Sequence, residues 1–287
     1  MTLVDKELFT LKTPHFTLEG RSRAGHETWF RIRELGVALD IGRGPDQVVP
    51  MDHVFITHAH LDHAAGIAWY GAQRRLQRLE GGTIYVPSEA AEDVRELLRV
   101  QARLTGHEFH VEIRGMAPGD EVRFGRTHMV RAHTAPHRVA ARAWELFEIR
   151  HRLREEFAGL EREELLRLHR EGTRVDEPYT SPVLFYTGDT DRGILERCEE
   201  AFRAEVLVIE CSFIADGHQE RAEAYRHIHV DDIAEFADRF KNELIVLTHF
   251  SRRYSRDEIR DGVRRRLPAS LHERIRLALP EPWQRIV

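Results

Sequence analysis

Two cysteines in 287 residues, Cys198 and Cys211, can build neither a disulfide framework nor a cysteine-ligated zinc ribbon. Both sit in apolar stretches and read as core residues. No run approaches the roughly eighteen apolar residues of a membrane span, and no secretory apolar segment is evident, so a cytoplasmic location without membrane association is expected. An excess of positive charge is also missing, since 43 Lys+Arg face 48 Asp+Glu for a net charge of -5. That argues against a dedicated nucleic-acid coat protein, while leaving room for a local basic patch. Neither a repeat nor a low-complexity linker divides the chain, and 41% hydrophobic residues suffice for a sizeable core. One domain over 1–287 is expected.

Short apolar runs bounded by polar or glycine-rich turns predict strands over 37–41, 54–57, 83–86, 183–187, 206–209 and 244–248. Helical spacing predicts helices over 64–79, 88–104, 144–170, 229–240 and 255–266. Ser88 and Ser255, each before an acidic first turn, are the expected N-caps of two of them. This alternation makes the fold class α/β. The segment 144–170 differs from the rest in packing Arg150, His151, Arg152, Arg154, Arg162, Arg167 and Arg170 among glutamates and leucines. It reads as a mixed-charge amphipathic helix, either a solvated surface helix or an arm that carries arginines to a phosphate backbone.

What the sequence has in quantity is histidine, 18 residues of it, the commonest metal ligand among side chains. At that abundance a His-x-His pair arises about once by chance. The longer His58-Ala59-His60-Leu61-Asp62-His63, with the aspartate and third histidine also fixed, does not. It follows the buried-strand pattern Val54-Phe55-Ile56-Thr57, and loops leaving such strands are where α/β folds put chemistry. Imidazoles and carboxylates suit zinc, so His58 and His60 are expected on one ion, Asp62 and His63 on a second. Asp189, after the run 184–188, and His249, after 244–248, stand at equivalent strand ends. A carboxylate such as Asp189 can bridge two cations. Either His133 or His137 could complete the first site.

These residues resemble the short, plant-type ribonuclease Z family of the metallo-β-lactamase superfamily, transfer-RNA 3′-processing endonucleases, nearly end to end. The resemblance runs through Glu19-Gly20-Arg21-Ser22-Arg23-Ala24-Gly25-His26-Glu27-Thr28, Leu39-Asp40-Ile41-Gly42-Arg43-Gly44-Pro45 and Thr57 to His63. It continues in Tyr186-Thr187-Gly188-Asp189-Thr190 and in Leu247-Thr248-His249-Phe250-Ser251-Arg252-Arg253-Tyr254. It implies a four-layer αββα sandwich with a helical arm inserted at 144–176. The family motif His-x-x-Pro-Ser-x-Gly-Tyr falls on His137 to Trp144, which selects His137 over His133. Ala140, Ala141, Ala143 and Trp144 there replace Pro, Ser, Gly and Tyr.

The same resemblance implies a leaving-group dyad of Glu210 and His229, although His229 also reads as a helix N-terminal residue before Asp231 and Asp232. It further implies two Zn²⁺ per chain, with Mn²⁺ or Fe²⁺ as substitutes, held by His58, His60, Asp62, His63, His137, Asp189 and His249. Asp62 would orient the attacking hydroxide, and Thr190, Arg252 and Arg253 would contact substrate. The implied substrate is precursor transfer RNA and the implied assembly a homodimer in which the arm serves the partner. Hydrolysis of a small phosphodiester, a cyclic nucleotide or another ester on the same fold is the alternative.

Overall fold

The computed structural model describes residues 8–287. Its first half forms β1 (Phe9–Lys12), β2 (Thr17–Arg23), β3 (Glu27–Ile32), β4 (Val37–Leu39), β5 (His53–Phe55), β6 (Thr83–Pro87) and β7 (Glu112–Met116), which pair in that order as one sheet. Helices α1 (Leu61–Ala64), α2 (Ile67–Leu76) and α3 (Ala91–Thr105) lie between β5 and β7 in the chain. The second half forms β8 (Glu121–Phe124), β9 (His128–Thr134), β10 (Arg142–Leu153), β11 (Asp176–Tyr186), β12 (Val206–Glu210), β13 (Leu244–Thr248) and β14 (Ile275–Leu277), again in unbroken order. Helices α4 (Arg162–Arg170), α5 (Gly193–Arg197), α6 (Gln219–Tyr225), α7 (Val230–Glu235), α8 (Arg256–Arg266) and α9 (Ala269–His272) accompany it. Both sheets follow one plan. The first four strands run antiparallel to their neighbours, β1 to β4 and β8 to β11, and the last three joins of each sheet are parallel.

The two-residue period of a strand explains the layering. Val206 and Val208 face the core between the sheets, where they meet Phe30, Phe55 and Trp144. Leu207 and Ile209, one step out of phase, face an outer core shared with Ile233 of α7 and Val263 of α8. In the first sheet Phe55 points inward, while Val54 and Ile56 join Tyr70 of α2 and Val94 and Leu98 of α3. Strands apolar on both faces are thus covered twice, giving helix, sheet, sheet, helix.

Two expectations fail. Segment 144–170 is not one helix, since 142–153 is strand β10, paired with β9 and with β11, and near the tip only a 3₁₀ turn (Glu155–Phe157) and the nine residues of α4 are helical. The arm is a β-ribbon. Its charges pair across the strands: Arg152 meets Glu177, directly opposite, at 2.8 Å, and His151, opposite Pro178, reaches diagonally to Asp176 at 2.9 Å. Pro178 and Pro182 are tolerated because β11 meets β12 only over 184–186, leaving that edge open, and Pro182 adjoins a register shift at Leu146/Phe147. Ser88 caps nothing, lying in a 3₁₀ turn with its hydroxyl on Glu89, whereas Ser255 forms the expected capping box with Glu258. No helix among the described residues is long and apolar enough to cross a membrane.

Arg74 clamps the first half. Though buried, its guanidinium donates to the carbonyls of Val49, Met51, Glu80 and Gly81 and to Asp52 at 2.8 Å. Arg74→Ala strands those acceptors and should cost about 2–4 kcal/mol, read as a lower midpoint in urea unfolding. A wild-type midpoint would show that the clamp contributes nothing.

Candidate metal centre

The histidine-rich hexapeptide leaves the C-terminal end of β5, and Asp189 and His249 follow β11 and β13. Strand ends of both sheets therefore converge at one edge. The junction is close enough to demand glycine at 188, where φ is +59° and an added Cβ would stand 2.5 Å from the Thr57 side chain. Arg142 N donates to Thr57 O across the same seam.

Seven side chains meet there. His58 Nε2 lies 2.9 Å from His60 Nδ1, which is 3.3 Å from His137 Nε2, and Asp189 Oδ2 stands 3.8 Å from His58 Nε2. On the other side His63 Nε2 is 3.4 Å from His249 Nε2, and Asp62 Oδ2 is 3.3 Å from the latter. Asp189 faces both groups, with Oδ1 3.2 Å from His63 Nε2 and Oδ2 3.3 Å from His249 Nε2. All but His60 and Asp62 are buried.

Electrostatics divides the imidazoles. Burial, then the charge of His63, holds His58 well below the ordinary histidine range, and burial also lowers His60 and His137, so these rings present neutral lone pairs. His63 goes the other way. Burial opposes its charge, but Asp189 and Asp40 outweigh burial and raise it well above the usual value. Asp189 is likewise held well below the usual carboxylate range: burial opposes this, and His249 and His63 overcome it.

These donors could hold two cations, His58, His60, His137 and Asp189 around one and Asp62, His63 and His249 beside Asp189 around another. The fit has a specific sign. Asp189 Oδ1 is fully enclosed yet lacks a hydrogen bond, a cost that coordination would remove.

A second layer aims the first. Asp40, absent from the sequence-based site set, accepts from His63 Nδ1 at 2.8 Å, from Thr57 N at 2.7 Å and from Tyr186 Oη at 2.6 Å. It thereby turns His63 Nε2 toward Asp189. Its φ of 55° and the 57° of His249 are left-handed conformations rare outside glycine, held here by surrounding bonds. The turn in the segment 19–28 has a task as well: Gly25 N donates to Asp62 at 2.8 Å, and Ser22 Oγ accepts from His249 N at 2.9 Å.

The expected pairing of Glu210 with His229 does not form. Glu210 Oε1 is 2.7 Å from His227 Nδ1 and accepts from Thr190 N at 2.7 Å, while Oε2 accepts from Ser212 Oγ at 2.7 Å. His229 spends both ring nitrogens elsewhere, capping α7 through Asp231 N and reaching Ala215 O at 3.1 Å. Thr190 is another correction, since it is wholly buried and braces Glu210 through its backbone, out of reach of a substrate. Burial disfavours a charged His227, but Glu210 prevails and lifts it to about 9, which favours the protonated ring. Ser212, also missed, links the two layers, lying 3.0 Å from His249 Nδ1 while donating to Glu210.

His227 opens onto a cleft of ≈ 600 Å³ whose walls include Phe213, Tyr225, Arg252 and Arg253. His133 lies apart, bonded to Glu145 at 2.7 Å. Of the four residues that depart from the family motif none lines this cleft, and Ala141, Ala143 and Trp144 are core residues, Trp144 against Phe55 with ring centroids 5.3 Å apart, while Ala140 is half-buried.

Comparison with known proteins agrees with this architecture. The family described as "Beta-lactamase superfamily domain" matches residues 28–250. Human tRNase Z, short form, superposes with a TM-score of 0.57 at 18% identity, covering 81% of this chain and 92% of that one. The metallo-β-lactamase fold protein YhfI of Bacillus subtilis gives 0.61 at 15%, covering 91% and 94%. In sequence, tRNase Z TRZ1 of Arabidopsis thaliana is 34% identical over 91% of this chain and 94% of its own length. The chloroplastic tRNase Z TRZ2 of the same plant is also 34% identical, over 86% and 71%. The chain belongs to the ribonuclease Z family of the β-lactamase superfamily.

Proposed function

We propose that this chain is a zinc-dependent endoribonuclease that removes the 3′ trailer of precursor transfer RNA in the cytoplasm, with two ions per chain. The metal reading rests chiefly on Asp189, a buried carboxylate among converging imidazoles with one oxygen left unbonded. The substrate reading rests on kinship with proteins named tRNase Z. His58, His60 and His137 would hold one ion and Asp62, His63 and His249 the other, with Asp189 reaching both; manganese or iron would suit the same donors. Such ions supply Lewis acidity and lower the pKa of water toward neutrality.

The remaining steps belong to the chain. Asp62, fixed by Gly25, orients the attacking water. His227, protonated and held at Nδ1 by Glu210, gives its other proton to the departing 3′ oxygen, and Ser212 keeps Glu210 in register with His249. Arg252 and Arg253 meet backbone phosphates in the cleft, where Tyr225 and Phe213 offer stacking surfaces. The arm's arginines contact neighbouring carboxylates, as Arg152 does Glu177 and Arg167 does Glu164, at exposed positions where such pairs are weak and exchange readily for phosphate. The small-diester alternative loses its main support, because the motif departures lie largely in the core.

Cleavage of precursor transfer RNA, with bis(p-nitrophenyl) phosphate as comparator, is the direct test. His227→Ala should slow single-turnover trailer removal by about 10²–10⁴-fold. His229→Ala should cost about 1 kcal/mol of stability and leave cleavage near wild type. Turnover of the small diester without trailer removal would falsify the transfer-RNA reading, and equal effects of the two substitutions would remove the Glu210–His227 dyad.

Asp189→Ala should lose bound metal and activity together; two ions per chain by elemental analysis of that variant would exclude a bridging role.

A homodimer is the proposed assembly. Trp69 and Leu76 on α2 and Leu97, Val100 and Leu104 on α3 stand exposed at helical spacing, an apolar face that a second copy would cover. Analytical ultracentrifugation at micromolar concentration should return twice the chain mass, and a monomer there would refute the assembly.

A further inference from the structure

Some distance along β9 from the candidate centre, three side chains of metal-ligating type converge on a separate cavity. His133 is on β9, Cys198 follows α5, and Glu200 lies in the 3₁₀ turn after it (Glu199–Phe202). One ligand atom from each lies within 4.8 Å of the other two. They line a cavity of ≈ 500 Å³ together with Arg131, Thr134 and Pro136. We propose that His133, Cys198 and Glu200 form a second cation site, selective for a borderline divalent ion such as Zn²⁺ or Co²⁺ and distinct from the hexapeptide centre.

The donor set carries this reading. An imidazole, a thiol and a carboxylate are what zinc takes when three protein ligands leave a fourth position for water, and the cavity supplies the access. Glu145 holds His133 Nε2 at 2.7 Å, the carboxylate–histidine arrangement found behind metal-ligating imidazoles, and Nδ1 has no hydrogen-bond partner among the described residues. Cys198 Sγ lies 3.4 Å from Glu200 Oε2. Burial, reinforced by Glu200, pushes that thiol up to about 12, so it is protonated without a cation. Binding forms the metal–sulfur bond and releases the thiol proton to solvent, leaving no electrons to account for.

The placement gives occupancy a consequence. His133 begins the stretch that ends at His137, and Pro136 O accepts from Asp191 N, two residues after Asp189. A cation on His133 and Cys198 would tie together the two segments that deliver His137 and Asp189 to the other centre.

Sulfur makes the site separately readable, because the hexapeptide centre offers only nitrogen and oxygen. Metal-stripped full-length protein titrated with Co²⁺ should develop a thiolate-to-cobalt charge-transfer band in the near ultraviolet. Cys198→Ser should abolish the band, while Cys211→Ser, altering a thiol buried elsewhere, should retain it. His133→Gln and Glu200→Gln keep the thiol and should weaken Co²⁺ binding at this band at least tenfold, which guards against a Cys198 variant that fails to fold. Absence of any sulfur band, its survival in Cys198→Ser, or wild-type affinity in both other variants would overturn the site. None of these outcomes depends on what RNA the protein cuts.

Discussion

One buried carboxylate, Asp40, takes hydrogen bonds from both halves of the molecule: Thr57 and His63 from the first sheet and its loop, Tyr186 from the second. Unpaired, such a group would be too costly to bury; with these donors it becomes the point where the two sheets are held in register at their functional edge. The distances of the metal centre follow from it. His63 is turned by Asp40, Asp189 is met by His63 and His249, and His249 is fixed in turn by Ser22 and Ser212. His63, His249 and Asp62 thus each have a partner outside the candidate ligand set, Asp40, Ser212 and Gly25 in turn, which fixes them independently of any cation.

Six of the seven residues that converge at the candidate centre were legible because they sit in short, local patterns, an apolar strand and then histidine or aspartate beyond it, whereas His137 was separated from His133 only by the family resemblance. What lay behind them was not. Asp40 was visible only as part of a motif, since its partners Thr57, His63 and Tyr186 are 17, 23 and 146 residues distant. His227 and His229 are two apart and equally placed on paper; the turn into α7 decides which ring reaches Glu210 and which caps the helix. Sequence similarity favoured one, and local geometry uses the other.

The fold shows the same division. Strands 206–209 and 244–248, apolar on both faces, announce themselves. β2 does not, because its buried positions are Leu18, Gly20 and Ser22, where close approach to β3 leaves no room for bulk: a Cβ at Gly20 would stand 2.2 Å from Trp29 O. The arm was read as helix because its leucines and arginines recur at helical intervals. Strand pairing with residues 176–186 overrides that period, and no window of a dozen residues contains both partners.

The duplicated sheet plan also bears on how the protein is made. Each half completes its strand pairings within its own stretch of chain, yet the contact between His63 and His249 spans 186 residues. A nascent chain whose first sheet has already formed still lacks Asp189 and His249, and so lacks any closed centre. If those residues hold the cations as proposed, the capacity to hydrolyse RNA would be withheld until nearly the whole polypeptide has been synthesised.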